Sequence, residues 1–114
     1  MANVDLDIDT RDEGTWRIVA VRGEVDLYTS PQLRSAIDRL VEDGAVRVLV
    51  DLSGVSFMDS SGLGVLVGSL KRSRERGGDL ALACGEGPVL RVLTITGLDR
   101  VFPIHASVAD ALGA

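Results

Sequence analysis

The chain has 114 residues, 46% of them hydrophobic and 25% charged, which is the composition of one globular domain that buries roughly two thirds of its unfolded surface. Disorder is thereby excluded except at the ends, and 4% aromatic residues point to an aliphatic core. A net charge of −5 disfavours attraction to nucleic-acid phosphates and to anionic lipid.

Val4, Leu6 and Ile8 alternate with Asp5, Asp7 and Asp9, which predicts a half-buried strand with an acidic outer face at a sheet margin. Arg11 to Gly14 reads as a turn, and Trp16 to Arg22 as a second strand that ends at Gly23. So short a connection makes the pair an antiparallel hairpin. Ser30 followed by Pro31 reads as a helix start, a capping hydroxyl and then a ring that fixes φ at the first helical position, with Leu33, Ala36, Ile37, Leu40 and Val41 on the buried face and Gly44 at the end.

Val46, Val48, Val50 and Leu52 then follow a strand period that Gly54 breaks. From Gly62 the apolar residues Leu63, Leu66, Val67 and Leu70 fall at helical spacing, with Asp59 or Ser60 as the cap and Gly77-Gly78 as the stop. Leu80 and Leu82 predict another strand, Pro88 to Thr96 a short helix closed by Gly97, and Val101 to Ile104 a last strand. Ser107 caps a terminal helix through Leu112. The order β-β-α-β-α-β-α-β-α requires parallel neighbours after the hairpin. The expected fold is therefore α/β: one domain over residues 1–114, with a mixed five-stranded sheet and about four helices.

The single cysteine, Cys84, has no internal partner and no Cys/His cluster of metal-ligand spacing around it. A reducing cytosol is the simplest setting, and neither a metal nor a cofactor is indicated. The start MANVDLDID lacks the basic residues and apolar run of a signal peptide, and no apolar stretch approaches the ~20 residues that span a bilayer. The expectation is a soluble cytoplasmic protein.

The chemistry concentrates where the third strand meets the second helix. Ser60 and Ser61 stand at a helix N-terminus, where unpaired N–H groups and the positive end of the dipole favour a phosphate. Gly62, Gly64 and Gly68 each cost about 1 kcal/mol relative to alanine inside a helix. Close packing on the sheet accounts for Gly68 as readily as function does; Gly62 and Gly64 suggest a flat surface that a partner approaches. A serine hydrolase lacks support, since Met58-Asp59-Ser60-Ser61-Gly62 does not fit G-x-S-x-G and the sole candidate base is His105. Neither nucleotide-binding glycine motif occurs at a strand–helix junction. Lys71, Arg72, Arg74 and Arg76 read as a solvated helix terminus that complements the dipole. Glu24 and Asp26 read equally as turn formers or as an acidic rim, with Asp59, for a basic protein surface.

Taken together, Gly23-Glu24-Val25-Asp26 and Asp51-Leu52-Ser53-Gly54-Val55-Ser56-Phe57-Met58-Asp59-Ser60-Ser61-Gly62-Leu63-Gly64 closely resemble the STAS-domain anti-sigma factor antagonists of bacteria. The long motif is highly specific, and the element order agrees over nearly the whole chain. The resemblance implies a cytoplasmic protein without catalytic activity or cofactor that binds an anti-sigma factor and frees a sigma subunit. The implied partner is usually also a serine kinase with a histidine-kinase-like ATP-binding fold. It further implies Ser60 as the phosphoacceptor, Ser61 at the neighbouring Ser/Thr position, and a metal-dependent serine phosphatase that restores the binding form. Gly62, Leu63 and Gly64 would form the docking surface, with Glu24, Asp26 and Asp59 at its rim. STAS modules also serve as scaffold subunits of stress-signalling assemblies and as parts of anion transporters; the lack of an apolar span argues against the transporter.

Overall fold

Gly14, at φ 59°, closes the N-terminal hairpin. It opens the two-residue connection between β1 (Asp7–Glu13) and β2 (Trp16–Val25), a turn that needs a residue without a Cβ. In the computed structural model, which describes residues 5–113, Glu13 pairs with Trp16 and Asp7 with Arg22. The strand thus starts and ends later than the alternation indicates, and Gly14-Thr15 replaces Arg11 to Gly14 as the turn; Val4 lies outside the described residues. Charge pairing explains the shift. Arg22 reaches Asp7 at 2.9 Å and Asp9 at 3.1 Å, and Arg17 pairs with Asp12, so a polar stretch is held in the ladder by its cross-strand partners.

The next strand also outruns its expected end. β3 (Arg47–Met58) passes through Gly54, and β2 passes through Gly23 to Val25 beside it. Between the pairs Ala20–Asp51 and Arg22–Gly54, and again between Gly23–Val55 and Glu24–Phe57, β3 contains one residue more than β2. These are two bulges, at which the ladder bends without ending. A Cβ on Gly54 would overlap Arg22 Cγ and lie 3.0 Å from the Val21 carbonyl oxygen, so this glycine permits a close approach instead of marking a stop.

The remaining elements are α1 (Ser30–Glu42), α2 (Ser60–Glu75), β4 (Asp79–Ala83), α3 (Pro88–Ile95), a 3-10 turn at Leu98–Arg100, β5 (Ile104–His105) and α4 (Val108–Gly113). The sheet order is β1-β2-β3-β4-β5, antiparallel only between β1 and β2. This is the expected mixed five-stranded α/β architecture. β5 starts three residues later than its pattern predicts and ends one later, while Ser107 caps α4 as expected, its Oγ accepting from the Asp110 N–H at 3.1 Å. Ser30 is not the cap of α1. It is the first helical residue, buried, with Thr29 before it in the cap position.

Period two divides the sheet's side chains between two cores. Val19, Val21, Val48, Val50, Leu80 and Leu82 face Leu33 and Ile37 of α1, Leu66 of α2 and Leu93 of α3. Trp16, Ile18, Leu49, Ala81 and Ala83 face the other way, under Ala111 of α4. Trp16 carries the Arg47 guanidinium 3.9 Å from its ring centroid and meets the His105 ring edge-on at 6.3 Å. No helix among the described residues is long and apolar enough to cross a membrane.

α2 is rotated from the face its apolar residues predict. Leu66 and Leu70 are buried, but Val67 is exposed and Leu63 only half-buried; Gly62, Ser69 and Ser73 complete the buried stripe. Small side chains bring α2 close to its neighbours, and Arg72 ties it to α1 through Asp38 at 2.8 Å.

Candidate functional site

Val25 and Met58 end β2 and β3 as register partners, and the Asp59 N–H donates to the Val25 carbonyl at 3.1 Å. The β2–α1 loop and the first turn of α2 therefore leave the sheet side by side. Asp59 is extended, at φ −100° and ψ −172°, and caps α2: its Oδ1 accepts from the Ser61 N–H at 2.8 Å and the Gly62 N–H at 3.3 Å. Its carbonyl accepts from the Leu63 N–H at 3.1 Å. A carboxylate there satisfies donors the helix leaves unpaired and faces the positive end of the dipole. Ser60 follows as the first helical residue, with its side chain exposed.

The glycines after it separate into two kinds. Gly62 is buried, and a Cβ on it would lie 2.7 Å from both Met58 Cγ and Val25 Cγ1. It belongs to the helix–sheet contact, so the expectation that it forms part of an exposed flat surface is corrected. Gly64 is exposed, with open space where its Cβ would be. Ser61 and Gly64 line a groove of about 280 Å³ between α1 and α2, with Arg34, Val65, Gly68 and Arg72. Two of the basic residues near the end of α2 are paired: Arg72 with Asp38 and Arg74 with Asp79 at 3.3 Å.

The other loop is held by its first residue. Asp26 Oδ1 accepts from the Tyr28 N–H at 2.9 Å, the Thr29 N–H at 3.0 Å and the Thr29 hydroxyl at 3.1 Å. Thr29 Oγ1 shares its one proton between that carboxylate and the nearer Glu24 carbonyl at 2.7 Å and accepts from the Asp26 N–H at 2.9 Å, while the Ser30 N–H donates to the Asp26 carbonyl at 2.8 Å. The Thr29 N–H holds the Asp26 carboxyl below its ordinary pKa against desolvation, the next-largest effect, with smaller contributions from the Thr29 hydroxyl and the Tyr28 N–H. The turn-forming reading of Asp26 is thus the observed one. Its carboxylate and that of Asp59 are both engaged with backbone donors; Glu24 is exposed.

His105 is distant in role from Ser60. Its ring packs on Trp16, on the α4 side of the sheet, whereas α2 covers the opposite side. Cys84 is free and buried, and burial, with a smaller contribution from Asp51, pushes its thiol pKa up.

The STAS domain family model matches residues 7–111. The chain belongs to the STAS domain family. It is 36% identical over 103 residues to the anti-sigma-B factor antagonist of Bacillus subtilis, covering 90% of this chain and 94% of that protein. It is 35% identical over 96 residues to the anti-sigma F factor antagonist of Paenibacillus polymyxa, covering 83% and 82%. The crystal structure of an anti-sigma factor antagonist from Mycobacterium paratuberculosis has a TM-score of 0.87 to it at 30% identity, over 95% of this chain and 92% of that one.

Within this STAS domain, sequence reasoning missed the tip of the β2–α1 loop. Leu27 is 66% exposed and Tyr28 85% exposed, between a buried Val25 and a buried Thr29. The available signal was two large apolar residues between Asp26 and Thr29, both of which favour turns. The groove arginine Arg34 was also missed, because only the packing of α1 on α2 brings it near Ser61.

Proposed function

We propose that residues 1–114 act as a single STAS domain that is an anti-sigma factor antagonist. The unphosphorylated form binds an anti-sigma factor, itself a serine kinase with a histidine-kinase-like ATP-binding fold, and so frees a sigma factor. Phosphorylation of Ser60 ends that binding, and a metal-dependent serine phosphatase restores it. The protein works in the cytoplasm without catalysing a reaction, and contacts neither membrane nor nucleic acid. Ser61, Leu63 and Gly64 form the docking surface beside Ser60, Glu24 lies at its rim, and Asp26 and Asp59 hold the two loops that carry it. Gly62 supports this surface from beneath.

The observation that carries the reading is the exposed Ser60 side chain on the first turn of α2, next to an Asp59 carboxylate that already occupies the helix N-terminus. A phosphate adds about −1.5 to −2 charge at that point. Docking takes this charge out of water, at a cost of several kcal/mol. Moving a complex from 99:1 bound to 1:99 takes ~5.5 kcal/mol, so one phosphate within the contact is of the right size. Similarity to relatives that bear the antagonist name supports the same reading.

The test is to incubate the purified chain with candidate anti-sigma kinases and ATP and to locate phosphate by mass spectrometry. A single phosphate on Ser60, with loss of binding, is expected. A kinase that binds the chain and leaves Ser60 unmodified, or a phosphoform that binds as tightly as before, overturns the switch.

A further inference from the structure

The loop between β2 and α1 places its two largest side chains in water and holds them there. Leu27 and Tyr28 are 66% and 85% exposed, yet Asp26 and Thr29 on either side of them fix the backbone through a closed set of hydrogen bonds. Other exposed large apolar residues, such as Ile95 and Val46, stand apart in the sequence, whereas Leu27 and Tyr28 are adjacent on a loop with little freedom to fold them in. An exposed large apolar pair on a fixed backbone is the feature expected of an interface anchor, because little ordering entropy remains to be lost on binding.

We infer that Leu27 and Tyr28 are the apolar anchor by which this chain docks on its anti-sigma factor, filling a depression on that partner with a basic rim. The inference rests on the function proposed above and extends it to residues outside the serine motif. Position supplies the first argument. The Asp59 N–H is bonded to the Val25 carbonyl, so this loop and the Ser60 turn emerge together, and a surface seated on one continues onto the other. Charge supplies the second. The carboxylates of Asp26 and Asp59 are turned onto backbone N–H groups, which leaves Glu24 as the exposed acid of the loop's approach. Phe57, its partner across the ladder, is 48% exposed and extends the apolar surface there. The matching partner surface is therefore apolar at its centre and basic at its edge.

Affinity for the anti-sigma factor that binds the wild-type chain, measured by titration calorimetry, tests this. The double substitution Leu27→Ser with Tyr28→Ser should weaken binding about thirtyfold or more, as loss of an anchor does. Ile95→Ser on α3 removes an apolar side chain that is 78% exposed elsewhere, and should leave the affinity unchanged. Glu24→Gln should reduce the salt dependence of binding. Both apolar variants should keep the wild-type urea midpoint, since neither site is buried. Equal affinity of the double variant and wild type overturns the anchor while leaving the Ser60 switch intact. Equal weakening by Ile95→Ser also overturns it, as does a wild-type dimer that the double substitution dissociates, which would assign the pair to a second copy of the chain. Failure of the wild type to bind any anti-sigma factor overturns the proposed function and the anchor together.

Discussion

The Asp59 N–H donates to the Val25 carbonyl at 3.1 Å, one residue beyond the last register pair of β2 and β3. This bond joins the two loops of the candidate site at their roots, so the position of Ser60 depends on two strands and not on its own helix alone. Changes at the junction should be read in stability and in partner binding separately.

Asp59 caps α2 through the Ser61 and Gly62 N–H groups. Asp59→Ala should lower stability by about 1 kcal/mol, and Asp59→Asn by much less, since asparagine still accepts from those donors. Urea midpoints of the three proteins decide this. A wild-type midpoint for Asp59→Ala would show that the cap contributes nothing to the fold.

Two glycines in one helical turn should respond with opposite sign. Gly62→Ala puts a methyl 2.7 Å from Met58 Cγ and Val25 Cγ1 and should destabilise by about 1 to 3 kcal/mol. Gly64→Ala enters open space and should stabilise by up to about 1 kcal/mol through helix propensity. Thermal melts of the pair are sufficient, and destabilisation by both substitutions would contradict the packing described for Gly64.

Phosphate on Ser60 should alter binding and leave the fold nearly unchanged. The dipole favours it by about 0.3 to 1 kcal/mol, and Asp59 opposes it by a comparable amount. Urea melts of the two forms should nearly coincide, while titrations with the kinase differ widely. Ser60→Ala should stay bound, and Ser60→Asp should weaken binding in part, because aspartate carries less charge than phosphate. A phosphoform that melts at much lower urea would mean that the side chain is buried.

Asp26 should make stability acid-sensitive. Its carboxyl pKa is held below the usual 3.8 by the Thr29 N–H and hydroxyl and the Tyr28 N–H. The folded-state value lies below the unfolded one, so the stabilisation is complete above the unfolded pKa and is lost as pH falls through the folded value. Asp26→Asn should be less stable than wild type near neutral pH, with the gap closing below about pH 4. Melting temperatures across that range check it; a gap that persists at low pH would assign the effect to shape instead of charge.

Local pattern alone made most of the architecture legible. The period-two alternation from Val46 to Leu52, the crossover helices and the hairpin led to a mixed five-stranded sheet, although Val46 itself lies before β3 and is exposed, and Leu49, between Val48 and Val50, is buried on the sheet's other face. The helix start at the candidate site was legible for a similar reason. Asp59, Ser60 and the glycines lie contiguous in the chain, at a helix start whose capping chemistry is local.

What needed tertiary structure was whatever depends on a second segment. Gly54 reads as a strand end, but the approach of Arg22 and Val21 makes it the residue that lets β3 bulge and continue. Gly62 reads as surface, but Met58 and Val25 close over it. Asp26 reads as a rim charge as readily as a turn former, until the bonds from Tyr28 and Thr29 show its carboxylate engaged. Residue types and spacing set what each position is able to do. Contacts between segments distant in sequence decide which side faces water, since burial is a property of the assembled sheet and helices and not of any one of them.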